Sequence, residues 1–280
     1  MKYRTIVLGA LSLLCSAVSA VPKVGVKPNL TRRAANCSSG FKKISANDFV
    51  NSLTPGWNLG NTLDATETEG AWNNPPVVPA TFDDIKATGF RSVRIPGQSL
   101  GIAAPCLLLI FLVTWHYHVT GQSPDWTIDS VWLQRVSDVI DMSISRGFYT
   151  IVNVHHDSWI WADVTQPNAN LTMIHEKFYT LWRQIGEKLA CKSELLAYEP
   201  INEPPGTTPE HGAQINIFND LFLKAINEAG GYNPSRVVTL VGAGEDGAKT
   251  SQWFKFPTGN YSNPTAIQYH YYSPCKLDRH

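Results

Sequence analysis

Charge is scarce in this sequence. Only 16% of its 280 residues are charged, and 23 basic residues balance 23 acidic ones, giving a formal net charge of zero and a pI near 7.1. With no basic surplus, nucleic acids and anionic membranes drop out as partners. Five cysteines, none spaced as C-x-x-C, exclude a zinc site of that pattern. A dinucleotide fingerprint is also missing: Gly242-Ala243-Gly244 lacks the final glycine and reads as a loop. Apolar runs long enough to cross a bilayer are absent too, since the stretches at 6–14 and 106–112 are too short. What is present is a hydrophobic fraction of 43%, enough for a sizeable core, and 11% aromatic residues including nine Trp. Flat indole rings suit both a large core and a platform for a flat ligand.

The N-terminus reads as a signal peptide over residues 1–20: Lys2 and Arg4, an apolar run to Leu14, and the small residues Val18-Ser19-Ala20. Residues 21–33, ending in Arg32-Arg33, read as a propeptide, and 34–280 as one domain. Sequons at Asn29, Asn36, Asn170 and Asn260 fit a secreted, extracellular glycoprotein. Once the signal peptide is removed, Cys37, Cys106, Cys191 and Cys275 remain, and four thiols allow three pairings.

Beyond Gly40, short apolar runs alternate with amphipathic ones. Strands are expected at 56–63, 90–95, 148–154, 195–201, 236–241 and 266–272, short and mostly apolar as strands covered on both faces are. Helices are expected where Ile174, Phe178, Leu181, Ile185 and Leu189 recur, and again at Ile215, Phe218, Phe222 and Ile226, the latter ended by Gly230-Gly231. Repeated βα units imply a parallel sheet with right-handed crossovers. Polar residues gather at the C-terminal end of nearly every strand: Asn58 and Asn61, Arg94, His155-His156-Asp157, Asn202-Glu203, Glu245, then His270 and Tyr272. That distribution predicts a TIM (β/α)8 barrel, of which about six of the eight units are present.

Glu203 at a barrel mouth, beside an amide and near aromatic groups, suits a general acid. Taken alone it reads as a solvated loop residue; the convergence of Arg94, His155, His270 and Tyr272 on one mouth favours chemistry. Arginine can hold a carboxylate ionised, the histidines can relay protons, and a tyrosine can donate to a carboxylate nucleophile.

Five strings in order, Gly56-Trp57-Asn58-Leu59-Gly60-Asn61, Val93-Arg94-Ile95-Pro96, Val152-Asn153-Val154-His155-His156-Asp157, Asn202-Glu203-Pro204 and His270-Tyr271-Tyr272, resemble glycoside hydrolase family 5, in particular fungal secreted endo-β-1,4-glucanases, or cellulases. The resemblance covers residues from about Phe41 to Pro274. It implies a retaining mechanism with two glutamates about 5 Å apart, a β-glucan substrate and no metal or organic cofactor; a monomer is the default expectation. On that likeness Glu203 matches the acid/base and Asn202 the amide that contacts the sugar 2-hydroxyl. Arg94 and Tyr272 match the pair that holds the nucleophile, and His155 and His270 match the histidines of the site. Asn58, His118, His156, Trp115 and Trp159 are further expected sugar contacts.

Two departures accompany the likeness. The nucleophile, a second glutamate on a seventh strand, is absent from the sequence, and Glu245 stands on the fifth, so hydrolysis by these residues alone is not expected. Residues 97–112 interrupt the family pattern with an apolar insert, and 275–280 leave it in an atypical tail. Both are explained by faulty splicing, which would leave Cys37 and Cys191 as the pair able to form a native disulfide. Other family 5 activities (mannanase, xyloglucanase, β-1,3-glucanase), a non-catalytic carbohydrate binder, and a metal-dependent hydrolase using His116-Tyr117-His118 along a strand are the competing readings.

Overall fold

The computed structural model describes residues 35–38, 40–65, 67–94 and 113–271, with Arg94 described by its backbone alone. The signal peptide, propeptide, apolar insert, Tyr272 and C-terminal tail expected from the sequence lie outside the described residues.

Six strands form one sheet: β1 (Gly56–Asn58), β2 (Ser92–Arg94), β3 (Tyr149–Asn153), β4 (Leu196–Glu199), β5 (Val238–Asp246) and β6 (Thr265–His270). Every neighbouring pair is parallel and the order follows the chain, β1-β2-β3-β4-β5-β6. This is the curved parallel sheet of a partial (β/α) barrel. Among the described residues β1 and β6 each pair on one side only, and Ile267, Tyr269 and Tyr271 alternate on an exposed face of β6 and its extension. Parallel strands need both faces covered, and Val152, Ala197, Leu240 and Val241 are buried accordingly.

Helices α1 (Ala46–Asn51), α2 (Pro79–Ala87), α3 (Ser130–Ile144), α4 (Asp157–Ile160), α5 (Leu171–Leu189), α6 (Pro209–Ala229) and α7 (Gly247–Trp253) fill the connections. Their starts follow capping chemistry, which satisfies N–H groups left without helical partners. Asn170 accepts from the Met173 N–H, and Thr208, followed by Pro209 at the first helical position, accepts from His211. Gly230 ends α6 with φ of 76°, a backbone geometry that favours glycine. Helices α5 and α6 bury the residues that the sequence pattern selects: Phe178 meets Phe218 at 4.7 Å between ring centroids and Trp182 meets Phe222 at 4.6 Å. Trp182 Nε1 also donates to the Pro200 carbonyl (2.8 Å), tying α5 to the segment that leaves β4.

β5 departs from the expected 236–241. It runs on to Asp246 through an irregularity in which Val241 pairs with Gln268 and Asp246 with His270. Gly242-Ala243-Gly244, read from the sequence as a loop, is thus bulged strand. Gly244 and Glu245 take φ of 63° and 50°, and that turn of the backbone aims Glu245 inward.

Candidate active site

The bulge is clamped to the segment after β4. Gly244 donates its backbone N–H to the Pro204 carbonyl (2.7 Å), and the Glu203 N–H donates to Glu245 Oε2 (3.0 Å). Ala243 packs so tightly on Gly206 that a Cβ there would lie 2.7 Å from the Ala243 Cβ. Held in this way, Glu203 has φ of 40°, a left-handed conformation costly for a non-glycine residue and frequent at functional sites.

Two groups, His270 and Glu245, converge on Glu203. His270, last residue of β6, places Nδ1 2.5 Å from Glu203 Oε1 and Nε2 3.2 Å from Glu245 Oε2. One ligand atom from each of Glu203, Glu245 and His270 lies within 4.8 Å of the others, the arrangement among the described residues that could hold a cation. The two carboxylates differ in access: the Glu203 side chain is 37% exposed, whereas that of Glu245 is 0% exposed. A nucleophile must reach the anomeric carbon of a bound sugar across from the acid. The Glu245 side chain is buried beneath the more open Glu203.

Asn202 is buried and its N–H donates to the Val154 carbonyl (2.9 Å), joining the β4 and β3 ends. His155 is buried at the end of β3, with Nδ1 3.4 Å from Asn153 Nδ2, and the same amide donates to Glu199 Oε1 (2.9 Å). Asn153 and Glu199 are absent from the expected site. Their signal was a polar residue at an interior position of an otherwise apolar buried strand, two residues before His155 and three before Asn202. Arg94 is in register with Asn58 at the ends of β2 and β1, and Tyr272 lies outside the described residues.

A second group lies beside the first. His156 sits between two indoles, 5.4 Å from Trp72 and 4.8 Å from Trp159 by ring centroids, and its ring touches His155 edge-on at 4.5 Å. Beneath it Asp64 Oδ2 lies 3.8 Å from His156 Nε2, too far for a hydrogen bond. Burial pushes the Asp64 carboxyl above the ordinary carboxylate range, against the opposing pull of His156 and the Thr62 N–H. Trp159 is 55% exposed, and Asn58 Oδ1 is buried with no protein partner among the described residues. An open indole face and an unsatisfied acceptor are the features a sugar ring and its hydroxyls require.

One expected sugar contact is corrected, and a second is half-covered. Trp115 is completely buried: its Nε1 donates to the Asn153 carbonyl (3.2 Å) and its backbone N–H to Asp157 Oδ2 (2.8 Å), so it is a core residue that no ligand touches. His118 is half-buried and stacks one face on Trp132 of α3, the rings at 3.7 Å and 11°, and burial lowers its pKa. The H-x-H metal reading falls. Residues His116–His118 form a 3-10 turn, not a strand, so the two imidazoles do not share one strand face.

A parallel βα sheet that gathers carboxyls, an amide and histidines at its C-terminal strand ends, beside an exposed indole, has the layout of a (β/α)-barrel active site. The chain matches the cellulase family, glycosyl hydrolase family 5, over residues 56–279, and it belongs to that family. Endoglucanase H of Acetivibrio thermocellus is 37% identical over 240 residues, covering 86% of this chain and 23% of the relative. A tri-modular family 5, subfamily 4 endo-β-1,4-glucanase from Bacillus licheniformis, solved with cellotetraose, superposes with a TM-score of 0.69 at 39% identity, covering 82% of this chain and 40% of that one. A family 5 xyloglucanase from Paenibacillus pabuli gives 0.71 at 30% identity, covering 80% and 64%. The chain therefore spans less than two thirds of the length of each.

Proposed function

We propose that the chain carries the acid/base half of an endo-β-1,4-glucanase acting by the retaining two-glutamate mechanism. Glu203 is the acid/base, Asn202 the amide beside the sugar 2-hydroxyl, and His155, His270, Arg94 and Tyr272 its companions. Asn58, His156 and Trp159 contact glucose units. The observation that carries this reading is Glu203 itself: an accessible carboxyl, fixed by a bulged strand and hydrogen-bonded to a histidine, at a strand end of a family 5 chain. Its proton passes to the departing glycosidic oxygen, and the same carboxylate later takes one from water.

The other glutamates at the described strand ends, Glu199 and Glu245, are both buried. We therefore propose that these 280 residues bind β-glucan without cutting it. Calorimetry should detect cellotetraose binding while reducing-sugar assays on soluble cellulose stay at background. Added formate, a carboxylate small enough to serve as nucleophile, should restore turnover of an aryl cellobioside, and Glu203→Gln should abolish that rescue. Hydrolysis without formate would overturn the claim about the nucleophile; absence of glucan binding would overturn the substrate class. Binding with no rescue would favour a non-catalytic carbohydrate binder. A xyloglucan substrate is the second reading, favoured by the likeness to the Paenibacillus pabuli enzyme, and comparing affinities for xyloglucan and cello-oligosaccharides decides it.

Secretion of a glycosylated monomer is proposed alongside. The Cys37–Cys191 disulfide suits an oxidising compartment, and Asn36, Asn170 and Asn260 are all exposed. A mass loss on glycosidase treatment of secreted protein tests it. Fungal provenance rests on the motif strings alone, since the relatives named above are bacterial. The splicing origin of 97–112 and 275–280 is decided by sequencing the transcript.

A further inference from the structure

Lys177 stands where a lysine is costly. It lies on α5 at 5% exposure, and taking an ammonium out of water is expensive unless something compensates it. Its surroundings supply the compensation. Nζ sits 4.4 Å from the centre of the Trp161 ring and 5.2 Å from that of Trp126, both within range for attraction of a cation to an indole face. Each indole donates its N–H to a carboxylate, Trp161 to Asp157 Oδ1 (2.6 Å) and Trp126 to Glu176 Oε1 (2.9 Å). A donor bonded in this way is polarised, which leaves the ring face more negative and its hold on the ammonium stronger. Burial pulls the Lys177 amine below the ordinary lysine range, and the Asp157 charge opposes that pull. His116, the other basic group near Asp157, is held below the ordinary imidazole range by burial and by Lys177 itself.

The clamp reaches the sugar cleft through one short element. Helix α4 is four residues long, too short to keep its shape unaided. It directly follows His156, carries the exposed Trp159, and is capped by Trp161. Asp157 gathers its two ends. The Asp157 side chain accepts from the Trp115 backbone N–H (2.8 Å) as well as from the Trp161 indole, and its carbonyl accepts from the backbone N–H groups of Trp161 (3.2 Å) and Ala162 (2.9 Å). Lys177 ties that closed turn to α5 by the face of Trp161. On its other side Trp126 is pinned to the same helix: its carbonyl accepts from Gln184 Nε2 (3.0 Å), and its φ of 39° is a strained value for so bulky a residue.

We propose that Lys177 is a positioning residue for glucan binding: its ammonium, gripped between Trp161 and Trp126, fixes the α4 turn and so aims the Trp159 ring at the sugar. The inference rests on the reading of Trp159 as a sugar contact. Buried as it is, Lys177 acts through the turn.

The test is calorimetry of cellotetraose on the full chain and its variants, at a temperature where all are folded. Lys177→Met keeps the length of the side chain and removes its charge, and affinity should fall about three- to tenfold. Lys177→Arg keeps a cation over the rings and should restore most of that loss. In a Trp159→Ala background Lys177→Met should cost nothing further, because it acts through that ring. Wild-type affinity in Lys177→Met, equal losses in the Met and Arg variants, or a loss that adds to that of Trp159→Ala would each overturn the proposal. If Lys177→Met does not fold, the wild type still decides. Its NMR spectrum must show the Lys177 ε-protons shifted upfield by the ring currents and Nζ in the ammonium range at neutral pH, and absence of either overturns the clamp. A wild type that fails to bind cellotetraose sinks the reading of the cleft instead, so the two failures are distinct.

Discussion

Gly206 and Ala243 approach so closely that a single methyl group on the glycine would fall 2.7 Å from the alanine Cβ and 3.1 Å from Ile215 Cδ1. The contact locks the segment carrying Glu203 against the bulge of β5, and the Ala243 Cβ, fixed directly to its backbone, cannot swing aside. Gly206→Ala should therefore destabilise the fold by about 1–3 kcal/mol, the usual penalty for overpacking, and should loosen the Glu203–Glu245 arrangement. Urea titration measures the first effect. A variant as stable as the wild type would mean that this junction yields more readily than its packing implies.

The tryptophans divide into core and platform, and mutation should separate them. Trp115→Ala removes a wholly buried ring and should cost about 3–5 kcal/mol of stability. Trp159→Ala removes an exposed one and should change stability by less than about 1 kcal/mol, while weakening cellotetraose binding by roughly tenfold, as loss of an aromatic contact of about 1–1.5 kcal/mol implies. Denaturation and calorimetry on the same two variants check the pair. Unchanged cellotetraose affinity in Trp159→Ala would remove that ring from the sugar site.

These contrasts mark what could be read from the sequence. Each of the six expected strands is present, because a strand covered on both faces must be apolar and Tyr149–Asn153 or Leu196–Glu199 leave little choice of state. Glu203, Asn202, His155 and His270 fall together because strand ends in a parallel barrel converge whatever the loops do. The β5 bulge was not legible: Gly242-Ala243-Gly244 looks like a turn, and only its docking onto Pro204 and Gly206 makes it strand. Trp115 misled for a related reason. Hydropathy says that an indole is buried or binding, and the choice depends on Asn153 and Asp157 standing where they can accept its two N–H groups.

Asp64 gives a pH dependence with a definite sign. Its pKa is raised chiefly by burial, from an ordinary value of 3.8. The folded state therefore favours the protonated carboxyl, and this contribution is complete below about 3.8 and lost as pH rises through the raised value. Asp64→Asn should abolish that loss, because the amide oxygen can still accept from the Thr62 N–H as Asp64 Oδ1 does at 2.8 Å. Stability measured from about pH 4 to about pH 8 should thus fall less steeply in the variant than in the wild type. Some slope will persist, since Asp157 is also raised by complete burial. Parallel curves would show that Asp64 titrates alike in the folded and unfolded chain.

The Cys37–Cys191 bond joins residues 154 positions apart and pins the N-terminal segment to the end of α5. Closing so long a loop removes much of the unfolded chain's freedom, about 5 kcal/mol in the chain-entropy account. The same segment has other anchors: Ala35 donates to the Ala229 carbonyl, Phe41 stacks on Tyr232 at 4.8 Å, and the Arg236 guanidinium lies 5.4 Å from the centre of the Phe41 ring. These hold the segment in the native state but do nothing to restrict the unfolded one. A double replacement, Cys37→Ser with Cys191→Ser, should therefore lose roughly 3–5 kcal/mol while the Phe41–Tyr232 contact survives. Reductant should lower the stability of the wild type to that of the variant and leave the variant unchanged. A loss below about 1 kcal/mol would mean that the unfolded chain is already confined near these two residues, so that the crosslink has little freedom left to remove.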